Sequence, residues 1–145
     1  MPKSVEETFA HPANYPYLSV CTTSTHDMNP LRAWWEEDRQ VTNDFWQMIL
    51  GNQGEAPYFC EPWICRQILD QHVWSPAMLT ILPLQDWLSM DEQLRREDPN
   101  TERINVPANS RHYWRYRMHL TLEQLEAADE FNKTLADMIA ASGRK

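Results

Sequence analysis

Two short apolar runs are the segments of this 145-residue chain whose residue types predict β-strands. Residues 17–22 are rich in aromatic and β-branched side chains, and residues 77–84 are almost continuously apolar. Runs of this kind are typical of strands buried on both faces, as in parallel sheets. Two strands, however, do not make a sheet that covers its own edges. We therefore expect either further strands that the pattern misses or a chain that is a piece of something larger.

Helical patterns fill much of the remaining sequence. After the first run, Asn29 is a candidate N-cap and Pro30 occupies the first position of a predicted helix whose apolar stripe contains Leu31, Trp34 and Trp35. Four more helices are predicted, at residues 41–50, 62–75, 85–88 and 121–143. Strands that alternate with helices favour βαβ units around a parallel sheet.

The ends of these helices carry recognisable signals. Gly51 is the predicted stop of the second helix, and Thr121 with Gln124 forms a capping-box motif at the start of the last one. Residues 1–16 predict a short helical turn followed by irregular chain, and residues 95–119 are polar with little periodicity.

Glycine and charge exclude several classes of protein. Only three glycines are present, so the chain has no Walker loop, no GxGxxG dinucleotide loop and no GxSxG elbow. The net charge of −8 argues against nucleic-acid binding, which needs a basic face. No apolar run approaches the roughly 20 residues of a membrane span, and the N-terminus lacks the apolar core of a secretory signal. We expect a cytoplasmic protein without a membrane partner.

Cysteine and tryptophan usage adds two expectations. The three cysteines, at positions 21, 60 and 65, are predicted to be free thiols, and without histidines at zinc-ligand spacing no metal or cofactor is expected. Seven tryptophans stand against four phenylalanines, which hints at a ligand groove. For any single tryptophan, a place in the core is the simpler explanation.

The sequence pair His26–Asp27 lies where the first predicted strand gives way to a helix. The carboxyl ends of parallel strands are where α/β proteins bind ligands, so Asp27 is a candidate site residue. An alternative is that Asp27 only helps to begin the helix. Asp86 is the other carboxylate at a strand end, and the two do not form a credible catalytic pair on their own.

Six of the thirteen basic residues fall in the polar segment 95–119, interleaved with aromatic side chains. They are Arg95, Arg96, Arg103, Arg111, Arg115 and Arg117. Such a strip can contact single-stranded nucleic acid. We favour the alternative that the arginines pair with carboxylates and brace an irregular segment, because the chain is acidic and Glu97, Asp98 and Glu102 are interspersed.

Four stretches carry a resemblance to a known family. They are LSVCTTSTHDMNPLRAWWEED, GEAPYFCEPWICRQILDQ, SPAMLTILPLQDWL and ERINVPANSRHYWRYRMHLTLEQL. In this order and spacing they resemble the C-terminal part of a 4-α-glucanotransferase of glycoside hydrolase family 77, the amylomaltase or disproportionating-enzyme family. The branch with the plant cytosolic enzyme is the most similar.

The resemblance implies an α/β fold for the family, although this chain is mainly α. It assigns residues 17–23 and 77–82 to the seventh and eighth strands of a (β/α)₈ TIM barrel. A complete barrel takes about 250 residues, so a C-terminal fragment is expected. The implied domains are an irregular segment at 1–16, barrel structure at 17–120 and an amphipathic helix at 121–145.

The implied activity is retaining transglycosylation on maltose, malto-oligosaccharides and other α-1,4-glucans. By motif match, Asp27 is the carboxylate that stabilises the transition state, and the neighbouring His26 forms a hydrogen bond to the same sugar. Asn105, in the INVPA stretch, is where the family approaches the substrate groove. Asp86 and Trp114 are expected to be structural. The nucleophile and the acid/base of the family lie upstream and are absent from this sequence, so the chain alone is expected to be inactive and to need the remainder of the barrel as a partner.

A different class of function fits the same residues. The chain could be a non-catalytic carbohydrate-binding or protein-interaction domain that keeps the barrel end as a scaffold. For a barrel fragment, by contrast, exposed strand edges and half a barrel's apolar interior are expected to make the isolated chain associate or partly melt.

Overall fold

The computed structural model describes residues 8–144, which form a mainly helical unit with a two-stranded parallel sheet. The elements in chain order are β1 (Val20–Cys21), α1 (Leu31–Glu37), α2 (Arg39–Met48), α3 (Pro62–Val73), β2 (Leu79–Thr80), α4 (Leu84–Leu88), α5 (Leu122–Glu126) and α6 (Asp129–Ala141). Short 3₁₀ turns occupy Pro12–Asn14 and Pro99–Glu102. The predicted N-terminal turn is thus present at Pro12, and residues 1–7 lie outside the described part.

The two strands pair as predicted but are shorter and far more exposed. Val20 lies opposite Leu79 and Cys21 opposite Thr80, in parallel register. Cys21 is fully buried, whereas Leu18 is 81% exposed and Ile81 is 60% exposed. The prediction of strands buried on both faces is therefore wrong for residues 8–144, because the described sheet has only two strands and nothing covers these side chains.

Helix α1 begins one residue later than predicted, and its cap is not Asn29. Pro30 is the N-cap residue and makes no side-chain cap. The Asn29 side chain instead donates to Glu37 Oε2 at 2.7 Å. The N–H of Leu31 has no partner within the helix and donates to Asp86 Oδ1 at 2.8 Å, so a carboxylate from a distant helix replaces the local cap.

Helices α2 and α3 follow their sequence signals closely. Helix α2 begins earlier than predicted because Asp38 Oδ1 accepts hydrogen bonds from two backbone N–H groups of the first turn. Beyond its end, Gly51 takes a positive φ of 70°, as expected of a glycine stop. Helix α3 begins at Pro62, and its predicted apolar face is buried. That face consists of Ile64, Cys65, Ile68 and Leu69.

The core lies between α1, α2 and α3 rather than on the sheet. Its buried residues are Leu31, Trp35, Trp46, Leu50, Ala56, Cys60, Ile64, Cys65 and Ile68. Trp35 is fully buried and its indole N–H donates to the carbonyl of Pro57 at 3.0 Å. Trp46 satisfies its indole N–H on Gln53 in the same way. The core role expected of a typical tryptophan is confirmed for these two, because each buries a large ring and still pairs its one polar atom.

The C-terminal segment is two helices instead of the one predicted. The capping box of Thr121 and Gln124 is present at the start of α5. The helix then breaks at Ala128, and the Asn132 side chain donates to the carbonyl of Leu125 across the break at 2.9 Å. Leu122 of the predicted apolar stripe is exposed on α5, whereas Phe131 and Met138 of α6 are buried.

The tail folds back onto the end of α3. The Arg144 guanidinium donates to the carbonyl oxygens of Val73, Ser75 and Ala77, at 2.6 to 2.8 Å. These bonds tie α6 to the connection that leads into β2. All three cysteines are buried free thiols, as predicted. Within residues 8–144, no helix is long and apolar enough to cross a membrane.

Candidate functional site

The turn between β1 and α1 presents His26 and Asp27 at the surface. Inside the turn, the Thr22 hydroxyl donates to the Ser24 carbonyl at 2.8 Å, and Met28 N–H donates to the Thr25 carbonyl at 3.1 Å. This local bonding folds the hydroxyl-rich sequence tightly. Both side chains of the pair are about half exposed, so they are available to a ligand.

Asn105 reaches this turn from 78 residues further along the chain. Its side-chain N–H donates to Asp27 Oδ1 at 2.6 Å, while its own oxygen accepts from the N–H of Val106 at 2.9 Å. The second bond fixes which end of the amide faces Asp27. On the other side, His26 Nε2 lies 3.3 Å from Asp27 Oδ2. The three residues predicted from the sequence therefore meet in one cluster.

Trp114 extends the cluster on the His26 side. Its ring centroid lies 5.0 Å from that of His26 at an interplanar angle of 49°, and the side chain is 58% exposed. A structural role was expected for Trp114, and it stays a prediction. The structure adds that the exposed Trp114 side chain lies beside the site. The aromatic residues between the arginines were noted in the sequence, but only as a feature of a nucleic-acid strip that we did not favour.

A cavity of about 420 Å³ opens beside Asp27. Trp34 and Phe45 line its apolar side, and their rings meet edge to face at 5.2 Å. Within the described residues, the carboxylates that line it are Asp27 and Glu37. An apolar wall with a few polar groups is the usual composition of a small-molecule site.

A second carboxylate, Asp86, lies directly behind the turn. It is 1% exposed and accepts hydrogen bonds from the hydroxyls of Thr23 and Ser24 as well as from Leu31 N–H. Burial raises the pKa of Asp86, and the three donors oppose that rise. The expected structural role of Asp86 can therefore be stated: it binds residues on both sides of Asp27 in the sequence, Thr23 and Ser24 before it and Leu31 after it.

A third carboxylate, Glu102, is buried three positions before Asn105. Burial raises its pKa to about 7, against the opposing effect of Arg32, whose guanidinium holds the carbonyls of Arg96 and Glu97. Glu102 also lines a small cavity together with His26. From the sequence, Glu102 was counted among the carboxylates expected to pair with the arginines of segment 95–119; its burial is a tertiary feature without a sequence signal.

The arginines of segment 95–119 are used differently from the prediction. Arg95 pairs with Glu61 at 3.7 Å, and among residues 8–144 this is the one arginine–carboxylate pair within 4 Å. Arg96 instead donates to the carbonyl of Arg117 at 2.6 Å, and Arg115 stacks over Tyr113 at 4.6 Å. The arginines thus brace the irregular segment, mainly through carbonyl oxygens and aromatic rings, and the predicted pairing with carboxylates holds only for Arg95 among residues 8–144.

The polar cluster suits a polyhydroxyl ligand. A carboxylate, a carboxamide and an imidazole at the surface offer hydrogen-bond acceptors and donors, and an exposed indole offers a face for an apolar ring surface. In the described part of the chain, no group of three or more His, Cys, Asp or Glu is arranged to hold a metal ion.

Comparison with known proteins points to one family. Residues 1–122 match the family described as 4-alpha-glucanotransferase, glycoside hydrolase family 77. The chain is 38% identical to 4-alpha-glucanotransferase DPE2 of Oryza sativa subsp. japonica over 144 residues, which is 99% of this chain and 15% of the relative. It is 32% identical to the 4-alpha-glucanotransferase of Chlamydia muridarum over 86% of this chain and 23% of that protein.

A solved structure shares the fold. The amylomaltase from Streptococcus agalactiae in complex with acarbose matches with a TM-score of 0.66 and 20% identity, over 92% of this chain and 23% of that one. The chain therefore spans between about a seventh and a quarter of the length of these relatives.

Proposed function

The chain belongs to the 4-alpha-glucanotransferase family, glycoside hydrolase family 77, and from this premise we propose that it forms one wall of the substrate site of such an enzyme. The enzyme would transfer α-1,4-glucan segments or glucosyl units from maltose and malto-oligosaccharides to the 4-hydroxyl of an acceptor glucan. The observation that carries the proposal is the meeting of Asp27, His26 and Asn105 from distant parts of the chain.

In this proposal Asp27 binds hydroxyls of the sugar whose glycosidic bond breaks. A retaining transfer passes through an oxocarbenium-like transition state, in which a carboxylate held in position strengthens its bonds as positive charge develops. Asn105 occupies one oxygen of Asp27 and His26 lies against the other, so the carboxylate is already oriented before a sugar arrives. His26 and Asn105 then act as further hydrogen-bonding partners of the sugar.

The remaining chemistry belongs to groups outside this sequence. Double displacement needs a nucleophilic carboxylate and an acid/base, and the family motifs that hold them are missing from residues 1–145. We propose that β1 and β2 are the seventh and eighth strands of a (β/α)₈ barrel and that residues 17–120 are its end. The exposed side chains of Tyr17, Leu18 and Ile81 are then covered by the rest of that barrel. A cytoplasmic location remains our prediction.

A graft tests the proposed function. The 145-residue chain replaces the matching segment of the rice relative, and transfer from maltose is followed as released glucose. Asp27→Asn in this graft is expected to lower kcat by about 100- to 1000-fold with KM nearly unchanged, because the lost interaction strengthens in the transition state. Asp137→Asn is the matched control, since it makes the same charge change at an exposed position of α6.

Two outcomes contradict the proposal. One is a folded graft that does not transfer glucose, and the other is an unchanged kcat in Asp27→Asn. Turnover of maltose by the isolated chain, above that of its Asp27→Ala variant, contradicts the inactivity of the chain alone.

A carbohydrate-binding domain without turnover is the second candidate. The open indole of Trp114 beside His26 favours it, because this chain presents that surface by itself. Calorimetric binding of acarbose or maltoheptaose by the chain alone, lost in Asp27→Ala and without glucose release, would support this candidate.

A further inference from the structure

Asp86 joins both ends of the turn that carries Asp27. Its Oδ2 atom accepts hydrogen bonds from the hydroxyls of Thr23 and Ser24, the latter at 2.9 Å. Its Oδ1 atom accepts the N–H of Leu31 at 2.8 Å. Thr23 and Ser24 precede the exposed pair and Leu31 follows it, so one carboxylate fixes the start and the end of this turn.

The two oxygens of Asp86 have separable tasks. Capping the start of α1 requires one acceptor, and Oδ1 supplies it. The hydroxyls bound by Oδ2 belong to the turn and satisfy no helix group. Helix capping therefore explains the bond to Oδ1 but not the two hydroxyl bonds to Oδ2.

Burial makes this arrangement specific. Asp86 is 1% exposed and Ser24 is 6% exposed, so water does not compete for the bond between these two side chains. A buried carboxylate accepts hydrogen bonds and donates none when ionised, which obliges both hydroxyl protons to point at it. From the opposite side, Asn105 holds Asp27 Oδ1 at 2.6 Å.

We propose that Asp86 is a positioning residue for the transfer reaction, holding the 23–31 turn through Thr23 and Ser24 so that Asp27 keeps its place against Asn105. The proposal rests on the proposed function for the role of Asp27. Asp86 contacts no sugar in this scheme; its effect passes through the backbone of the turn. Small displacements of a reacting group lower kcat more than they lower affinity.

The test separates positioning from folding with the double variant Thr23→Val/Ser24→Ala. This variant removes both hydroxyl donors and leaves Asp86 Oδ1 free to cap α1. In the graft with the rice relative, we expect kcat to fall by about 10- to 100-fold, with KM changed by less than about threefold. A crystal structure of the variant is expected to show the Asp27–Asn105 bond lengthened beyond hydrogen-bond distance.

Three further variants serve as companions. Asp86→Asn is expected to reproduce the loss of kcat wherever it folds, and Thr23→Ser, which keeps the hydroxyl, should restore most of it relative to Thr23→Val. Thr121→Ala removes a helix cap at α5, outside the site, and is expected to lower the melting temperature while leaving kcat unchanged.

The proposal is overturned if the double variant melts earlier but keeps the wild-type kcat and the wild-type Asp27–Asn105 distance. A purely structural carboxylate gives that result. The crystallographic distance does not depend on turnover, so an inactive wild-type graft contradicts the proposed function while a lengthened distance in the variant still supports the positioning role.

Discussion

The helical core and the Asp27 cluster are assembled in opposite ways. The core packs apolar side chains that are close in sequence, with Trp35, Trp46 and Ile64 all lying on consecutive helices. The cluster joins polar groups separated by 78 residues, through single hydrogen bonds at the surface. Packing energy accumulates over many small contacts and tolerates adjustment, whereas a hydrogen-bonded cluster depends on the placement of each partner. Substitutions in the core should therefore mainly lower stability, whereas substitutions in the cluster should mainly lower ligand binding or activity.

The largest expected effect is in the core. Trp35→Ala should lower the free energy of unfolding of the chain by about 3 to 5 kcal/mol, because it removes a fully buried ring and leaves a cavity. Urea unfolding followed by circular dichroism measures this. Trp74→Ala is the control, since Trp74 is 60% exposed and its loss should cost less than about 1 kcal/mol. Equal costs for the two variants would show that the core is not where the stability lies.

The next effect is pH-dependent and comes from Glu102, between the core and the cluster. Because its pKa in the folded chain is raised to about 7, above the value of about 4.5 in the unfolded chain, the folded state favours the protonated carboxyl. The contribution of Glu102 to the stability of the folded chain is therefore fully present below pH 4.5 and is lost as the pH rises to about 7.

Melting temperatures between pH 4.5 and 8 measure the effect of Glu102. The groups that act on this carboxyl are Arg32 and Arg96, which lower its pKa, and Asp86, which raises it. Tyr116 also lies close by: burial and, to a smaller extent, the charge of Glu102 raise the pKa of its hydroxyl. Glu102→Gln should flatten the decline toward pH 7 relative to the wild-type chain. If the melting temperature of Glu102→Gln declines as much as that of the wild-type chain, the pH dependence comes from other groups.

A smaller effect is expected within the cluster. Asn105→Ala removes the partner of Asp27 Oδ1, and since that carboxylate is half exposed, water replaces the bond. Stability should change by less than about 1 kcal/mol, while acarbose binding by the graft should weaken about tenfold, because the carboxylate is no longer held in place. Calorimetry measures the affinity, and Asn109→Ala is a control on the same loop. Unaltered affinity in Asn105→Ala would separate Asn105 from the site.

The smallest effect concerns a cap made of neighbouring residues. Thr121→Ala should cost about 0.5 to 1 kcal/mol, because the capping box of α5 is local and exposed. Asp86→Asn should cost more, since the carboxylate that caps α1 is buried and serves three donors. Thermal melts of both variants provide the comparison, and a smaller loss in Asp86→Asn would contradict the distinction between local and distant capping.

Much of the helical structure could be predicted because its signals are local. Pro62 and the apolar face of α3 mark that helix, and Gly51 marks the stop after α2; both predictions are confirmed. The family resemblance is confirmed as well, because it rests on residue types in a fixed order along the chain. The break at Ala128 was missed, since no glycine or proline in the sequence marks it.

Other features could not be predicted because they depend on partners distant in sequence. The burial of residues 17–22 was predicted from apolar content, yet burial requires a covering layer that residues 8–144 do not supply. Asn29 was the predicted cap of α1, but the N–H of Leu31 is capped by Asp86, which lies 55 residues further along the chain than Leu31. For the same reason, Arg96 and Arg115 contact a carbonyl oxygen and an aromatic ring, whereas Arg95 is the arginine of this segment that pairs with a carboxylate within residues 8–144.

For the site, the sequence by itself determined the residue types and the position of Asp27 after a strand. Through the family resemblance it identified His26, Asp27 and Asn105 as separate positions, and it predicted no contact between their side chains. Only the tertiary structure decided that Asn105 bonds Asp27, that Asp86 holds both ends of the turn and that Glu102 is buried behind it. The physical reason is range: residue type and short spacing determine helices and turns, whereas hydrogen bonds between distant segments exist only once the chain has packed.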